Sequence, residues 1–381
     1  MSHRRRLLIA ALAPLPMLLF HSLPAQASGR ILFQLRPGVA SDASVRGLGA
    51  AHIPGTTVRM SPVAGNATIA AGLLARHRSV AWAEPDMIYH QSDLDPLRAS
   101  QWSLDSIHAE RGWLLAGALG LPSVTGFPIG IVDTGVNGRH EDLRGRVRAC
   151  AAAAAGRVRE GICDDADGHG THVAGIAAAN TGNGIGISGV AANSPLIVCR
   201  ALSGKGDGTT SDVAACITWV VAKGARVVNL SLGGPDSKAL HAAVKAVASS
   251  GVLVVAAAGN GGPSDVSWPA AYPEVVSVAA SDQRGRRADF SSTNPDVEVT
   301  APGVGILSLK ASGGYVRMSG TSMAAPVISG AAALLWAILK SPSLGTVRAA
   351  LDRSTHDAGP RGRDSSYGFG LFDFALTGTS G

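Results

Sequence analysis

Ile129-Gly-Ile-Val-Asp-Thr-Gly135 and Asp167-Gly-His-Gly-Thr-His-Val-Ala-Gly175 are the two most informative segments of the chain. The first is a short apolar run closed by an acid, the mark of a strand buried on both faces. The second places a histidine between two glycines and runs on in small apolar residues, the start of a helix. Outward from this pair the pattern repeats. Buried-type apolar runs recur at Pro195–Leu202, Arg226–Leu232, Val252–Ala258 and Val275–Ala279, and helical stretches at 169–179, 211–223, 238–249 and 322–340 alternate with them. Strands alternating with helices predict an α/β domain with a parallel sheet covered on both faces, whose active site lies beyond the carboxyl ends of the strands. The alanine tract Ala151–Ala155 is expected in a loop.

Composition narrows the function classes. The chain has 381 residues, 46% of them apolar and 16% charged, so a large core is available and wholesale disorder is excluded. The net charge of +6 suggests nucleic acid until it is divided by region. Residues 1–94 hold 9 of the 33 basic and 4 of the 27 acidic side chains, which leaves 24 against 23 for the remainder. The main domain is near neutral, and no nucleic-acid partner is expected. Arg4, Arg5 and Arg6, the apolar stretch Leu7–Leu23 and Ala25-Gln26-Ala27 read as a cleaved export signal. The competing membrane-anchor reading suffers from Pro14, Pro16 and a short span. Residues 30–92 look like a small separate unit: a strand over Arg30–Arg36, a helix from an Asn66 cap through Arg76, and a last strand over Val80–Tyr89. Little follows Phe374, so no C-terminal module is expected. Four cysteines in an exported chain suggest two disulfides with three possible pairings. Proximity favours Cys150–Cys163 and Cys199–Cys216. A four-cysteine zinc site lacks a C-x-x-C spacing.

Four residues carry chemistry. Asp133 ends a strand, where an acid also serves as a turn or cap residue. His169 begins a helix with His172 three residues on. A zinc peptidase would need H-E-x-x-H, which is absent, so His172 reads as a packed helix residue. Ser322, in Met318-Ser-Gly-Thr-Ser-Met-Ala-Ala-Pro326, precedes a long apolar helix. A helix N-cap explains such a serine, and so does a hydroxyl set beside unpaired N–H groups that favour an oxyanion. Pro326 is expected in the first turn of that helix, where proline is tolerated. Asn260 follows Val252-Leu-Val-Val-Ala-Ala-Ala-Gly259 and reads as a turn residue or an amide donor.

Taken together, in the order Asp, His, Asn, Ser, these segments closely resemble the subtilisin-like serine proteases, the subtilases. Ser231-Leu-Gly-Gly-Pro235 and Thr300-Ala-Pro-Gly303 extend the resemblance over most of residues 95–375. It implies a subtilisin-like three-layer α/β fold with a mainly parallel central sheet behind a small α+β propeptide domain. The implied boundaries are 1–27 for the signal, 28–92 for the propeptide and 93–381 for the catalytic domain. It implies a secreted or periplasmic serine endopeptidase, monomeric and free of a membrane anchor after signal cleavage, acting on protein or peptide substrates. By the same resemblance Ser322 would attack, His169 would take its proton and Asp133 would orient His169. The Ser322 N–H and the Asn260 side chain would form the oxyanion hole, supported by Thr321. Substrate would lie as an added strand between Gly206-Asp207-Gly208 and Ser231-Leu232-Gly233. The implied S1 pocket is walled by Ser231–Gly233 and Ala256–Gly259, Ala258 included, with Ser267 near its base where many relatives have glycine. Asp265 reads either as a basic-P1 selector or, more simply, as a solvated loop carboxylate. Thr181-Gly-Asn-Gly-Ile-Gly-Ile-Ser-Gly189 resembles the family's calcium loop. The implied ligands are the carbonyls of Thr181, Ile185 and Ile187, the Asn183 side chain and Asp142, with Asp95 as the N-terminal ligand. A Gly-rich loop without an ion stands against this. Val80-Ala-Trp-Ala-Glu-Pro-Asp86 resembles the end of an inhibitor propeptide, which implies folding assistance, temporary inhibition of its own enzyme and self-cleavage between Ile88 and Leu94. One departure is Pro326-Val-Ile328, where the family commonly reads Pro-His-Val. The rivals are a catalytically silent relative and a metal-dependent hydrolase.

Overall fold

The computed structural model describes residues 27–37, 51–53, 56–63, 67–87, 95–118, 126–339 and 342–377. The expected signal segment, the Asn66 cap and the expected processing stretch from Ile88 to Leu94 lie outside the described residues. The chain divides into two compact units with the boundary between Ser92 and Asp93.

In the first unit, β1 (Ala27–Leu35), β2 (Ala51–His52), β3 (Arg59–Pro62) and β4 (Val80–Met87) form an antiparallel sheet in the order β2-β3-β1-β4. Helix α1 (Ala67–Ala75) packs on it. Ile31, Phe33, Ala67, Ala71 and Val80 make the buried core. Among the described residues this core is small, and a unit of this size has little stabilisation of its own.

The second unit begins with α2 (Trp102–Ser106) and α3 (Ala109–Ala118). Its strands are β5 (Ile129–Asp133), β6 (Val147–Ala154), β7 (Arg157–Glu160), β8 (Leu196–Arg200), β9 (Val227–Leu230), β10 (Leu253–Ala257), β11 (Val275–Ser281), β12 (Val297–Pro302), β13 (Ile306–Leu309), β14 (Tyr315–Met318), β15 (Thr355–His356) and β16 (Leu371–Phe372). Ten of them form one sheet in the order β15-β16-β12-β11-β10-β9-β5-β8-β6-β7. Every neighbouring pair is parallel except β15/β16 and β6/β7 at the two edges.

Alternation along the strands assigns each side chain to one of two helical layers. Ile129, Ile131, Val198, Leu253 and Val255 face α4 (His169–Ala178), α7 (Thr321–Ile338) and α8 (Leu344–Arg353). Val132, Ile197, Cys199, Val254 and Ala256 face α5 (Thr210–Ala222) and α6 (Lys238–Ser249). Both faces are buried, so the strands read as unbroken apolar runs instead of alternating ones. Helix α7 has the length and apolarity of a membrane span, yet it is buried along most of its length as a core helix.

The alanine tract is not a loop. Residues 151–154 belong to β6, paired in parallel with β8 and antiparallel with β7. Ala149, Ala151 and Ala153 present small side chains to the layer of Val213, Ile217 and Val220, which outweighs alanine's low strand propensity. Both expected disulfides form, Cys150–Cys163 and Cys199–Cys216, with Cα atoms 5.3 and 5.4 Å apart. No free cysteine remains for a zinc site.

Candidate active site

The sheet order places the chemistry. The chain builds β6, β8 and β7 to one side of β5, then crosses to lay β9 to β12 on the other. Strand β5 therefore sits at the switch point, where crevices open at the carboxyl ends of such sheets. Asp133 is its last residue, and Ser231 and Asn260 follow the ends of β9 and β10.

Asp133 is fully buried, and its Oδ1 accepts from the Thr134 N–H at 2.7 Å and from His169 Nδ1 at 2.7 Å. His169 is the first residue of α4, with its side chain 21% exposed toward the crevice. A side chain on Gly170 would strike the Gly135 carbonyl and crowd Asp133, so glycine is required for helix and strand to approach closely here. Burial works against protonation of His169. The Asp133 charge and hydrogen bond, with Asp167 and Asp165 nearby, outweigh it and raise the imidazole to about 9. His172 behaves oppositely: burial pushes it down to about 4, and its neutral ring donates from Nε2 to the Ile306 and Val316 carbonyls. It is a packed helix residue and does not face His169 as a second metal ligand.

Ser322 is the second residue of α7, beside the unpaired N–H groups and positive end of the helix. Its hydroxyl donates to the Ser231 carbonyl at 3.3 Å. Asn260 Oδ1 accepts from the N–H and hydroxyl of Thr321 at 2.9 and 3.0 Å, which turns its Nδ2 outward. The Asn260 Nδ2 and the Ser322 N–H nitrogen each lie 3.6 Å from the point where a Cβ of Gly320 would sit. Two donors thus converge on one small region beside the Ser322 hydroxyl.

Pro326 lies in the second turn of α7, not the first. Lacking an N–H, it leaves the Ser322 carbonyl without its helical partner. The Ser231 hydroxyl donates to that carbonyl at 2.8 Å and itself accepts from Asn229 Nδ2 at 2.9 Å. Ser329 donates to Asn229 Oδ1 at 2.9 Å and closes a buried network beneath the Ser322 backbone. Asp165 is a residue that motif reading passed over. It accepts from the Thr134 hydroxyl, the Gly168 and Thr171 N–H groups and the Thr171 hydroxyl, so it fixes the turn that delivers His169. Its position just ahead of the Gly-His-Gly segment was the available signal.

A cleft of about 460 Å³ runs past His169 between two backbone edges, Gly206-Asp207-Gly208 and Ser231-Leu232-Gly233. Beside it, a cavity of about 230 Å³ opens at Ser322 and is lined by Leu232, Gly233, Ala257, Gly259, Asn260 and Ser267 among others. Ala258 is not part of that lining. Its side chain packs inward against Ala279 and Val297, because the extended backbone sends neighbours to opposite faces. Away from the cleft, the loop 181–189 wraps two buried acids. Asp142 accepts from Asn183 Nδ2, the Ile187 N–H and the Tyr315 hydroxyl; Asp95 accepts from the Gly182 and Asn183 N–H groups and Ser188.

The subtilase family model matches residues 125–370. Over 250 residues the chain is 41% identical to subtilisin DY of Bacillus licheniformis, covering 64% of this chain and 88% of that protein. It is 35% identical over 331 residues to the thermophilic serine proteinase of Bacillus sp. (strain AK1), covering 83% and 79%. Among solved structures, the S41 psychrophilic protease superposes with a TM-score of 0.61 at 36% identity, covering 66% of this chain and 92% of that one. The central sheet with its two helical layers is accordingly the subtilisin-like fold. The chain belongs to the subtilase family and is a subtilisin-type serine endopeptidase.

Proposed function

We propose that Ser322 is the nucleophile, His169 the general base and acid, Asp133 its orienting partner, and Asn260 with the Ser322 N–H the oxyanion hole. The observation that supports this is the Asp133–His169 hydrogen bond in a cleft that shares Leu232 and Gly233 with the cavity at Ser322, where the Asn260 amide and the Ser322 N–H point to one region. In the resting arrangement the Ser322 hydroxyl rests on the Ser231 carbonyl. For catalysis the hydroxyl would leave that carbonyl and donate to His169 Nε2. As Oγ bonds to the substrate carbonyl carbon, its proton passes to Nε2, and the carbonyl π electrons move to oxygen between Asn260 and the Ser322 N–H. The C–N bond then breaks, His169 returns the proton to the leaving amine, and water releases the acyl group by the same steps in reverse.

Substrate would pair as a strand with Gly206–Gly208 and Ser231–Gly233, whose main-chain groups tolerate many sequences. Thr321 supports the oxyanion hole by holding Asn260 Oδ1 and by accepting from the Gly259 N–H at 3.2 Å. Asn260→Ala is expected to lower kcat by about 10²–10³, with KM little changed, a magnitude carried over from a subtilisin. Steady-state hydrolysis of a peptide anilide checks it; a loss below tenfold removes Asn260 from the oxyanion hole.

The domain organisation is proposed as a signal over residues 1–27, a self-processed propeptide over 28–92 and the catalytic domain over 93–381, acting in the periplasm or outside the cell as a monomer. The small core of the first unit and the export-type N-terminus support this.

The loop 181–189 fits a structural calcium ion. Asp95 and Asp142 are buried carboxylates close enough for Asp95 to help raise Asp142, after the larger effect of burial, and paired carboxylates are hard oxygen ligands. Asp95, Asp142, the Asn183 side chain and the carbonyls of Thr181, Ile185 and Ile187 would hold it, and it would supply positive charge between the two acids. Asn183 would have to present its oxygen, which now accepts from the Ile185 N–H. Chelation is expected to lower the thermal midpoint, with about 3–4 kcal/mol lost relative to calcium at 100–1,000 times its Kd. Asp142→Asn should abolish that dependence. Equal midpoints with calcium and with chelator would exclude the ion.

The function is tested by treating the mature protein with a fluorophosphonate, mapping the label by mass and assaying casein. The label on Ser322 with concurrent loss of casein digestion is expected. Digestion that survives full labelling, or a label elsewhere, overturns it.

A further inference from the structure

We propose that the pocket beside Ser322 selects a basic residue, lysine or arginine, on the acyl side of the scissile bond (P1), and that Asp265 is the group that reads it. This rests on Ser322 as nucleophile, because only then does the 230 Å³ cavity receive the P1 side chain.

Asp265 lines that cavity together with Ser322 and Asn260, and it is half-buried. The glycines bring its carboxylate to the wall. A Cβ on Gly259 would lie 2.9 Å from Asp265 Oδ2, and one on Gly261 would lie 2.6 Å from the same oxygen. Any larger side chain at either position would cover the acid. Gly259 also holds φ at +113°, a conformation that other residues rarely adopt. The carboxylate is aimed as well as exposed. Its Oδ2 accepts from the Ser292 hydroxyl at 2.6 Å and the Gly261 N–H at 3.2 Å, while the Asp265 carbonyl accepts from Asn294 at 2.7 Å. Among the described residues, Oδ1 has no hydrogen-bond partner and no basic side chain pairs with the group. A half-buried carboxylate held in place through Oδ2, with Oδ1 unpartnered, in the wall of a cavity is a receptor for a cation.

The rest of the lining suits the same ligand. Leu232, Ala257 and the glycine walls offer apolar surface to a lysine or arginine stem, which buries its methylenes when its charged end is met. Ser267 sits against Gly233 and supplies a hydroxyl that can accept from a guanidinium or ammonium. The same carboxylate repels an acidic P1 residue and leaves a large aromatic one facing an unpaired, partly desolvated charge.

The experiment compares kcat/KM of the mature enzyme on a matched series of peptide p-nitroanilides with Arg, Lys, Phe, Leu or Glu at P1. Active enzyme is counted by fluorophosphonate titration. The wild type is expected to favour Arg and Lys. Asp265→Asn, which keeps the shape and the Ser292 hydrogen bond, should reduce the Arg-to-Phe ratio by about ten- to hundredfold, mainly through KM on the basic substrates. Should that variant fail to accumulate, the wild type alone decides: at about 1 M ionic strength, where the screening length is about 3 Å, the ratio should fall at least fivefold. Titratable enzyme that prefers Phe or Leu, or a ratio that moves less than fivefold in Asp265→Asn, overturns the role of Asp265 and leaves the protease assignment standing. Absence of both labelling and cleavage would remove Ser322 first, and this assignment with it.

Discussion

Ser322→Ala is expected to lower kcat for peptide hydrolysis by about 10⁶ and to leave the precursor unprocessed. The magnitude is carried over from a subtilisin, where removing the nucleophile alone costs about as much as removing the whole triad. The reason applies here because the parts act as one unit. Without Oγ no acyl bond can form, and the His169 base has no proton to take. What survives is the slow attack of water on a carbonyl held by Asn260 and the residue 322 N–H. The fold should tolerate the change, since the Ser322 hydroxyl makes only a 3.3 Å contact to the Ser231 carbonyl. The backbone contact that matters, from the Ser231 hydroxyl to the Ser322 carbonyl, is kept. Intact mass and a casein assay on both proteins check the outcome. Wild type should be cut between Ile88 and Leu94 and digest casein, while the variant stays full length after signal removal and digests nothing. Processing in both proteins would assign maturation to another protease, and equal casein activity would remove Ser322 as the nucleophile.

Asp133→Asn is expected to lower kcat/KM by about 10⁴ near neutral pH and to move the pH profile. Asp133 has no solvent exposure, and its Oδ1 is the acceptor that holds the His169 Nδ1 proton at 2.7 Å. A neutral amide removes the charge that stabilises the imidazolium and permits the other tautomer, in which Nε2 carries the proton and cannot act as base. The sign of the pH effect follows from His169. Burial lowers it, but the Asp133 charge and hydrogen bond prevail and raise it to about 9. The base is the neutral ring, so wild-type kcat/KM should climb with pH through an acid limb centred above 6.5 and toward 9. In Asp133→Asn the limb should move to lower pH, because burial is then opposed only by the Asp167 and Asp165 charges. Stability runs the other way. A folded value raised above the unfolded one means that the protonated pair stabilises the fold fully below about 6.5 and loses that contribution as pH rises through about 9. The enzyme would thus work best where this contribution is fading. Profiles of kcat/KM and of urea midpoint against pH, for both proteins, test both halves. An acid limb at the same pH in both would exclude Asp133 as the partner that sets it.

Much of the site was legible because its signals are local. Asp133, His169, Asn260 and Ser322 each stand at the end of a strand or the start of a helix, and the apolar period plus flanking glycines reveals such ends without knowledge of the fold. Both disulfides were within reach for a similar reason, since each closes a short loop of 13 or 17 residues. The Ala151–Ala155 tract was misread because alanine carries almost no strand signal. Its place in β6 comes from neighbours at Leu196–Arg200 and Arg157–Glu160, and from the close packing its small side chains allow.

Local sequence was enough for the buried central strands and the helices between them, for the candidate site residues at their ends and for the family those residues resemble. Hydrophobic period, chain-terminating glycines and motif spacing are properties of adjacent residues. What meets across the sheet follows from the three-dimensional packing alone. It set the Ser231 hydroxyl under the carbonyl that Pro326 leaves unpaired, turned Ala258 inward, and brought the Asp265 carboxylate to the wall of the cavity at Ser322. Those contacts join residues up to 91 positions apart. Which of them form depends on how the two helical layers close on the sheet, and no local preference of serine, alanine or aspartate encodes that.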